Sequence, residues 1–305
     1  MMGKGLSEAP VVAHDVPEGV DPRDVGRVLV RCPDKPGIIA AVSTFLYEAG
    51  ANIITSDQFT TDPQGGTFLL RAAIHLPGLI GRRESLEQRF ADQVASRFEM
   101  SWRLSLASES KRVALMVSKY DHCALDLLWR GQRGQIPMNV GIVVSNHPDL
   151  GEAVRGFGVP YVHIPVTKDS KAEAEDQQLE LLRDNFDLVV LARYMQILSD
   201  RFLEEVGCDV INIHHSFLPA FAGANPYGRA KDRGVKLIGA TAHYATADLD
   251  EGPIIEQDTV RVSHDDTALD LERRGADVER SVLARAIDWH CNDRVARMPN
   301  STVVF

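Results

Sequence analysis

The chain has 305 residues, 44% of them hydrophobic and 25% charged, and its 43 acidic against 33 basic residues leave a formal charge of -10. That balance argues against long DNA or RNA as the main partner, because such binding runs on clustered lysine and arginine, but it leaves room for a small anion in a local basic pocket. No apolar run approaches the roughly 20 residues that span a bilayer. Cys32, Cys123, Cys208 and Cys291 form no CxxC pair, which speaks against a disulfide framework or structural zinc and for a reducing, cytoplasmic setting.

Residues 1–24 are polar and acidic without an apolar core, so a flexible leader rather than a secretory signal is expected. A strand over 26–32 follows. Asp34 is placed to cap the next helix, Pro36 suits its first turn, and Gly50 closes it. Ile38, Ile39, Val42, Phe45 and Leu46 fall at helical spacing within it. Strands are predicted at 52–59 and 67–75, separated by the turn Pro63-Gln-Gly-Gly66, then a helix around 81–98 and a strand over 101–106. Strand, helix, strand, strand, helix, strand is the ferredoxin-like order, expected as a complete domain over 25–106.

A polar link, 107–111, leads into a second domain, 112–305, with a parallel α/β rhythm. Strands are expected at 112–118, 138–145, 161–165, 187–192 and 209–214. The helices between them fall near 123–130, 149–156, 171–185 and 200–206. The end turns towards β at 240–244 and 253–262, before a helix over 267–291 and an edge contact at 303–305. Repeats are absent, and neither a GxGxxG after a first strand nor a P-loop is present, so no dinucleotide or nucleoside triphosphate is implied.

The densest chemistry lies at 210–223, where a hydrophobic strand stops at Asn212, His214 and His215 and opens into a Pro/Gly-containing loop. Asn212 and His214 alternate, so both face one side of the strand, and their N–H groups can reach one carbonyl oxygen as negative charge develops on it. Asp250, in a turn before Gly252-Pro253, is placed to pair with His214; a carboxylate there favours imidazolium and supplies the acid–base partner that a leaving amine needs. Several neighbours carry two readings. His215 is equally a loop residue bonded to backbone, His243 sits in a strand and is also a structural candidate, and His122 caps a helix as readily as it touches a ligand. Asp248 and Glu251 are expected to face solvent. No His pair with a further ligand at metal spacing occurs, and His214 and His215 point opposite ways in a strand, so no metal is expected.

Asn-Ile-His-His-Ser-Phe-Leu-Pro-Ala-Phe at 212–221, with Leu-Asp-Glu-Gly-Pro-Ile at 249–254, resembles the catalytic domain of the folate-dependent formyltransferases. The resemblance implies a Rossmann-like fold for 112–305. It places the catalytic roles of that family, at the formyl group of 10-formyltetrahydrofolate, on Asn212, His214 and Asp250. The stretch 191–199 resembles the segment lining the pteridine pocket, which implies Met195, Ile197 and Leu198 as folate contacts, and His243 resembles a histidine beside the active site. Lys119 and Arg193 are candidates for holding the anionic glutamate tail. The first domain, with Asp34-Lys-Pro-Gly-Ile38, resembles an ACT regulatory domain, which implies an amino-acid effector and a homo-oligomer, dimer or tetramer.

This pairing of domains resembles the hydrolytic branch of the family, in which the folate is a substrate and no cofactor is tightly bound: 10-formyltetrahydrofolate and water give tetrahydrofolate and formate. Transferases acting on glycinamide ribonucleotide hold a phosphate in a glycine-rich loop after the first strand. Here that position reads Ser118-Lys-Tyr-Asp-His-Cys-Ala-Leu125, without glycine, so water is the expected acceptor, with transfer to a small amine such as glycinamide ribonucleotide as the alternative. Gly228 departs from the larger polar residue expected after Tyr227, with consequences for local packing or access to the pocket.

Overall fold

A computed structural model describes residues 15–219 and 226–305. The chain divides into two compact units. Residues 111–291 and 297–302 belong to one of them, while 15–110, together with 292–296 and 303–305, belong to the other.

The first unit begins, after a short 3-10 turn at Pro22–Asp24, with β1 (Val25–Pro33), α1 (Ile38–Glu48), β2 (Asn52–Thr60) and β3 (Thr67–His75). Then come α2 (Leu79–Phe90), a π-helical turn at Ala91–Ala95, α3 (Ser96–Phe98) and β4 (Ser101–Leu106). The sheet order β2-β3-β1-β4, antiparallel throughout, is the ferredoxin-like arrangement. Its core is the helix-facing set Val28, Val30, Phe45, Leu70, Phe90 and Leu104. Asp34 does not cap α1. The helix starts at Gly37, with φ 95°, while Asp34 accepts a hydrogen bond from the Thr60 hydroxyl at 2.8 Å. A left-handed glycine makes the strand-to-helix turn without needing a side-chain cap.

Alternation along β1 and β3 puts Arg27 and Arg71 on the same face of the sheet, and both are buried. They survive burial by pairing: Asp15 bridges both guanidinium groups, and Asn292 and Asp293 complete the shell. Residues 1–14 of the expected leader lie outside the described residues. From Asp15 on, the stretch is held in place by this ion pairing.

The second unit contains β5 (Lys111–Val117), α4 (His122–Gln132), β6 (Met138–Ser145), α5 (Gly151–Gly156), β7 (Tyr161–His163) and α6 (Lys171–Leu182). It continues with β8 (Leu188–Leu191), α7 (Asp200–Glu205), β9 (Asp209–His214), α8 (Pro226–Asp232), β10 (Leu237–Tyr244), β11 (Ile254–Arg261) and α9 (Ala268–Cys291). Helix α8 was not foreseen in the sequence, and Gly228 lies within it. A short β12 (Val295–Arg297) pairs with β13 (Thr302–Val304), which accounts for the terminal edge contact.

Seven strands form one sheet, ordered β11-β10-β9-β8-β5-β6-β7. β9, β8, β5, β6 and β7 run parallel, and β10 and β11 return antiparallel. Val113, Leu115, Val189, Val190 and Ile211 are fully buried, as strands covered on both faces require. The chain leaves β5 in one direction through β6 and β7 and in the other through β8 and β9. The carboxyl ends of β5, β8 and β9 therefore open at a topological switch point, the usual ligand crevice of such sheets.

Candidate active site

The crevice is a cleft of about 430 Å³ among the second unit's residues, within the usual range for small-molecule sites. Its polar wall is Asn212, His214, His243 and Asp250, and its apolar wall includes Met195, Ile197, Leu198 and Leu249. Met195 is 50% exposed and Ile197 and Leu249 are 59% exposed. Three large apolar side chains left open around one cleft mark a surface that a ligand covers.

Asn212 and His214 are carried on the last turn of the pleat in β9, two residues apart, with His214 at the strand end. His243 of β10 sits directly across from Asn212 in the ladder, next to a register shift between Ala242 and His243 against β11. Its protonation state follows from its partners. Nδ1 lies 3.0 Å from the Tyr244 carbonyl, which can only accept, so Nδ1 carries the hydrogen. Burial pushes the His243 pKa below its ordinary value, which keeps the ring neutral. Its Nε2 is then an acceptor, and the Asn212 amide donates to it at 3.2 Å. That bond fixes which way the Asn212 amide points and leaves its second N–H available to the cleft.

Asp250 reaches the site through a turn with backbone requirements of its own. Asp250 has φ 60°, a left-handed conformation that aspartate tolerates better than most residues. Two positions on, a Cβ at Gly252 would stand 1.7 Å from the Tyr244 carbonyl oxygen, so only glycine lets this turn close against β10. The result is a His214 Nδ1 to Asp250 Oδ1 separation of 3.1 Å, between side chains 8% and 15% exposed. The hydrogen bond from His214 holds the Asp250 carboxyl below its usual range, against the opposing effect of burial. An ionised Asp250 only accepts, so Nδ1 of His214 is the donor. The buried Nε2 of His214 has no hydrogen-bond partner among the described residues, and His214 lines the cleft. A buried polar atom left open at a pocket wall is where a substrate group completes the set.

The ring of His215 does not point away from that of His214. Strand geometry ends at His214, and the two imidazoles stack at 5.1 Å with 23° between planes, both lining the cleft. Burial, with Arg193 and His214 nearby, brings the His215 pKa down to about 4. The loop after β8 is tied down by Ser118 at the end of β5, whose hydroxyl accepts from the Met195 N–H at 2.9 Å. The hydroxyl of Tyr194 in this loop accepts from Gln178 of α6 at 2.9 Å.

Arg193 lines the cleft but turns its guanidinium inward, 6% exposed, to Glu279 of α9, Nε to Oε2 3.3 Å. Glu279 also faces Nε2 of His122 at 2.8 Å and accepts from the Tyr227 hydroxyl at 2.5 Å. His122 therefore does not act through a helix cap; it pairs with a helix 157 positions away in sequence. Glu279 and Tyr227 carried no periodic or motif signal that set them apart from an amphipathic helix face and a loop. Asp248 and Glu251 are exposed. Among the described residues, one group has metal-ligand atoms close together: His122, Cys123 and Glu279, within 4.8 Å. Glu279 already meets an arginine, a histidine and a phenol there, and burial pushes the Cys123 thiol well above its ordinary value, so the set is a poor home for a cation. No helix among the described residues is long and apolar enough to cross a membrane.

Residues 111–287 match the formyl transferase family, and residues 26–88 match the ACT domain. Over 314 aligned residues, covering all of both chains, the sequence is 59% identical to the formyltetrahydrofolate deformylase of Mycobacterium tuberculosis (strain ATCC 25618 / H37Rv). It is 54% identical to that of Bacillus subtilis (strain 168), over 92% of this chain and 94% of the relative. The crystal structure of formyltetrahydrofolate deformylase from Burkholderia mallei superposes with a TM-score of 0.87 at 41% identity, covering 92% of this chain and 99% of that one.

Proposed function

The chain belongs to the formyl transferase family, among the formyltetrahydrofolate deformylases, and we propose that it hydrolyses 10-formyltetrahydrofolate to tetrahydrofolate and formate. The observation that carries the mechanism is the open Nε2 of His214, buried at the cleft with Nδ1 committed to Asp250. The formyl oxygen accepts from this nitrogen, as the imidazolium N–H, and from the free N–H of Asn212. Both donors are fixed before reaction, His214 by Asp250 and Asn212 by the neutral His243, so they need no reorganisation as charge builds. Water oriented by Asp250 adds to the formyl carbon as its proton passes to the Asp250 carboxylate. The tetrahedral adduct then collapses with cleavage of the carbon–N10 bond, the proton passes from the imidazolium to N10, and formate leaves.

The pteridine is proposed to lie against Met195, Ile197 and Leu198, whose exposure in the free protein it would remove. Arg193 contributes through its position at the cleft wall. With its guanidinium buried on Glu279, the anionic glutamate tail falls to a more exposed cation such as Lys119. The ACT unit supports a homo-oligomer, dimer or tetramer, and an amino-acid effector. The four free cysteines, three of them buried, agree with a reducing cytoplasm.

The test is to mix purified protein with 10-formyltetrahydrofolate and no acceptor, and to follow formate and tetrahydrofolate together. Equal release of both, lost in His214→Ala, is the expected result. Silence until an amine is added would make the protein a transferase.

A further inference from the structure

We infer that Arg193, clamped by Glu279, closes the acceptor flank of the cleft and restricts the nucleophile to water. The inference rests on the hydrolytic reading above and concerns what selects water over an amine.

Arg193 is held in an unusual way. Its φ is 64°, a left-handed conformation that is unfavourable for a residue with a Cβ. Unlike Asp250, arginine has no short polar side chain to make that conformation locally favourable. The surroundings hold it there: the Met195 N–H two residues on is bound by Ser118, the Tyr120 ring lies 4.6 Å from the guanidinium carbon, and Glu279 Oε2 pairs with the guanidinium, 3.3 Å from Nε. Backbone strain maintained by several independent contacts marks a position with a job.

Glu279 is itself anchored. It is 1% exposed on α9, and His122 and Tyr227 keep it satisfied along with Arg193. Burial alone would raise its pKa, but these three partners together bring it down to about 2. Helix α9 makes room for the phenol by carrying glycine one turn earlier, since a Cβ at Gly275 would stand 2.0 Å from the Tyr227 hydroxyl oxygen. Arg193 and His215 line the cleft, whereas His122, Tyr227 and Glu279 do not. Among the described residues the wall therefore stops at Arg193 and His215, and a second layer of large side chains backs it.

Consider what this wall admits. A primary amine arrives at neutral pH mainly as ammonium and must shed protons to attack. It needs more room than water, and the Arg193 and His215 side chains at the cleft wall take up that room. Water is neutral and compact. Both Nε and Nη1 of Arg193 are buried without a hydrogen-bond partner among the described residues, and as donors they suit the oxygen of a water held at the wall.

The test is Arg193→Gly, which suits the left-handed backbone, removes the wall and the charge, and leaves Glu279 its bonds to His122 and Tyr227. Wild type and variant are incubated with 10-formyltetrahydrofolate and excess glycinamide, and formate and N-formylglycinamide are quantified by mass spectrometry. The ratio of formylated amine to formate should rise at least 10-fold in the variant, with slower hydrolysis. If thermal melting shows that Arg193→Gly has lost its fold, the double variant Arg193→Gly/Glu279→Gln, which removes both charges, is judged by the same ratio. Wild type that releases no formate overturns the hydrolytic reading. Wild-type hydrolysis with an unchanged ratio in a folded variant overturns the role of Arg193 alone.

Discussion

Replacing Asp250 by asparagine isolates one charge at nearly constant shape. In the native site its carboxylate lies 3.1 Å from Nδ1 of His214, with both side chains largely buried. At an effective dielectric of about 20, a unit charge pair at that distance is worth about 5 kcal/mol, and partial access to water brings the usable part to about 3 kcal/mol. The asparagine oxygen still accepts from Nδ1, so ring orientation survives while stabilisation of the imidazolium is lost. That figure corresponds to a fall in kcat of about 100-fold. Formate release at saturating folate measures kcat, and quenching of protein fluorescence by folate measures binding separately. Turnover within a few-fold of wild type would refute the charge argument. Loss of folate affinity in place of kcat would make Asp250 a binding residue.

Asn212→Ala removes one of the two oxyanion donors and should cost about 100-fold in kcat, with unchanged circular dichroism; full activity would remove Asn212 from the mechanism. Gly252→Ala forces a Cβ to within 1.7 Å of the Tyr244 carbonyl unless the turn moves. It should destabilise the protein by about 2–4 kcal/mol in urea unfolding and lower activity by displacing Asp250. Stability should also fall with acid. His215 has a folded pKa of about 4 against an ordinary 6.5, so between those values the unfolded chain binds more protons and stability drops as pH falls. Glu279, about 2 when folded against 4.5, extends the loss below pH 4.5. A melting temperature that is flat from pH 7 to pH 4, or a slope unaltered in His215→Asn, would contradict this.

Much of the site was legible because it is local. Asn212 and His214 stand on one face through the two-residue period of a strand, and Met195, Ile197 and Leu198 lie together in the one short loop after β8. The Asp250 turn announced itself through Gly252 and Pro253. His215 was misplaced because strand alternation was carried one residue past the end of β9. Asp34 was misassigned because a left-handed glycine starts α1 without a cap.

Periodicity and turn chemistry act over a few residues, so the sequence by itself determined the element order apart from α8, the two α/β patterns and which side chains share a strand face. The 3.1 Å approach of the expected His214–Asp250 pair and the meeting of Arg193, His122 and Tyr227 on Glu279 were decided by tertiary structure. Each depends on distances between segments tens to more than a hundred residues apart, which only the closed sheet and the packing of α9 bring together. The same holds for Arg27 and Arg71. They occupy ordinary strand positions in the sequence, and only the folded N-terminal unit supplies the Asp15 and Asp293 carboxylates that make their burial tolerable.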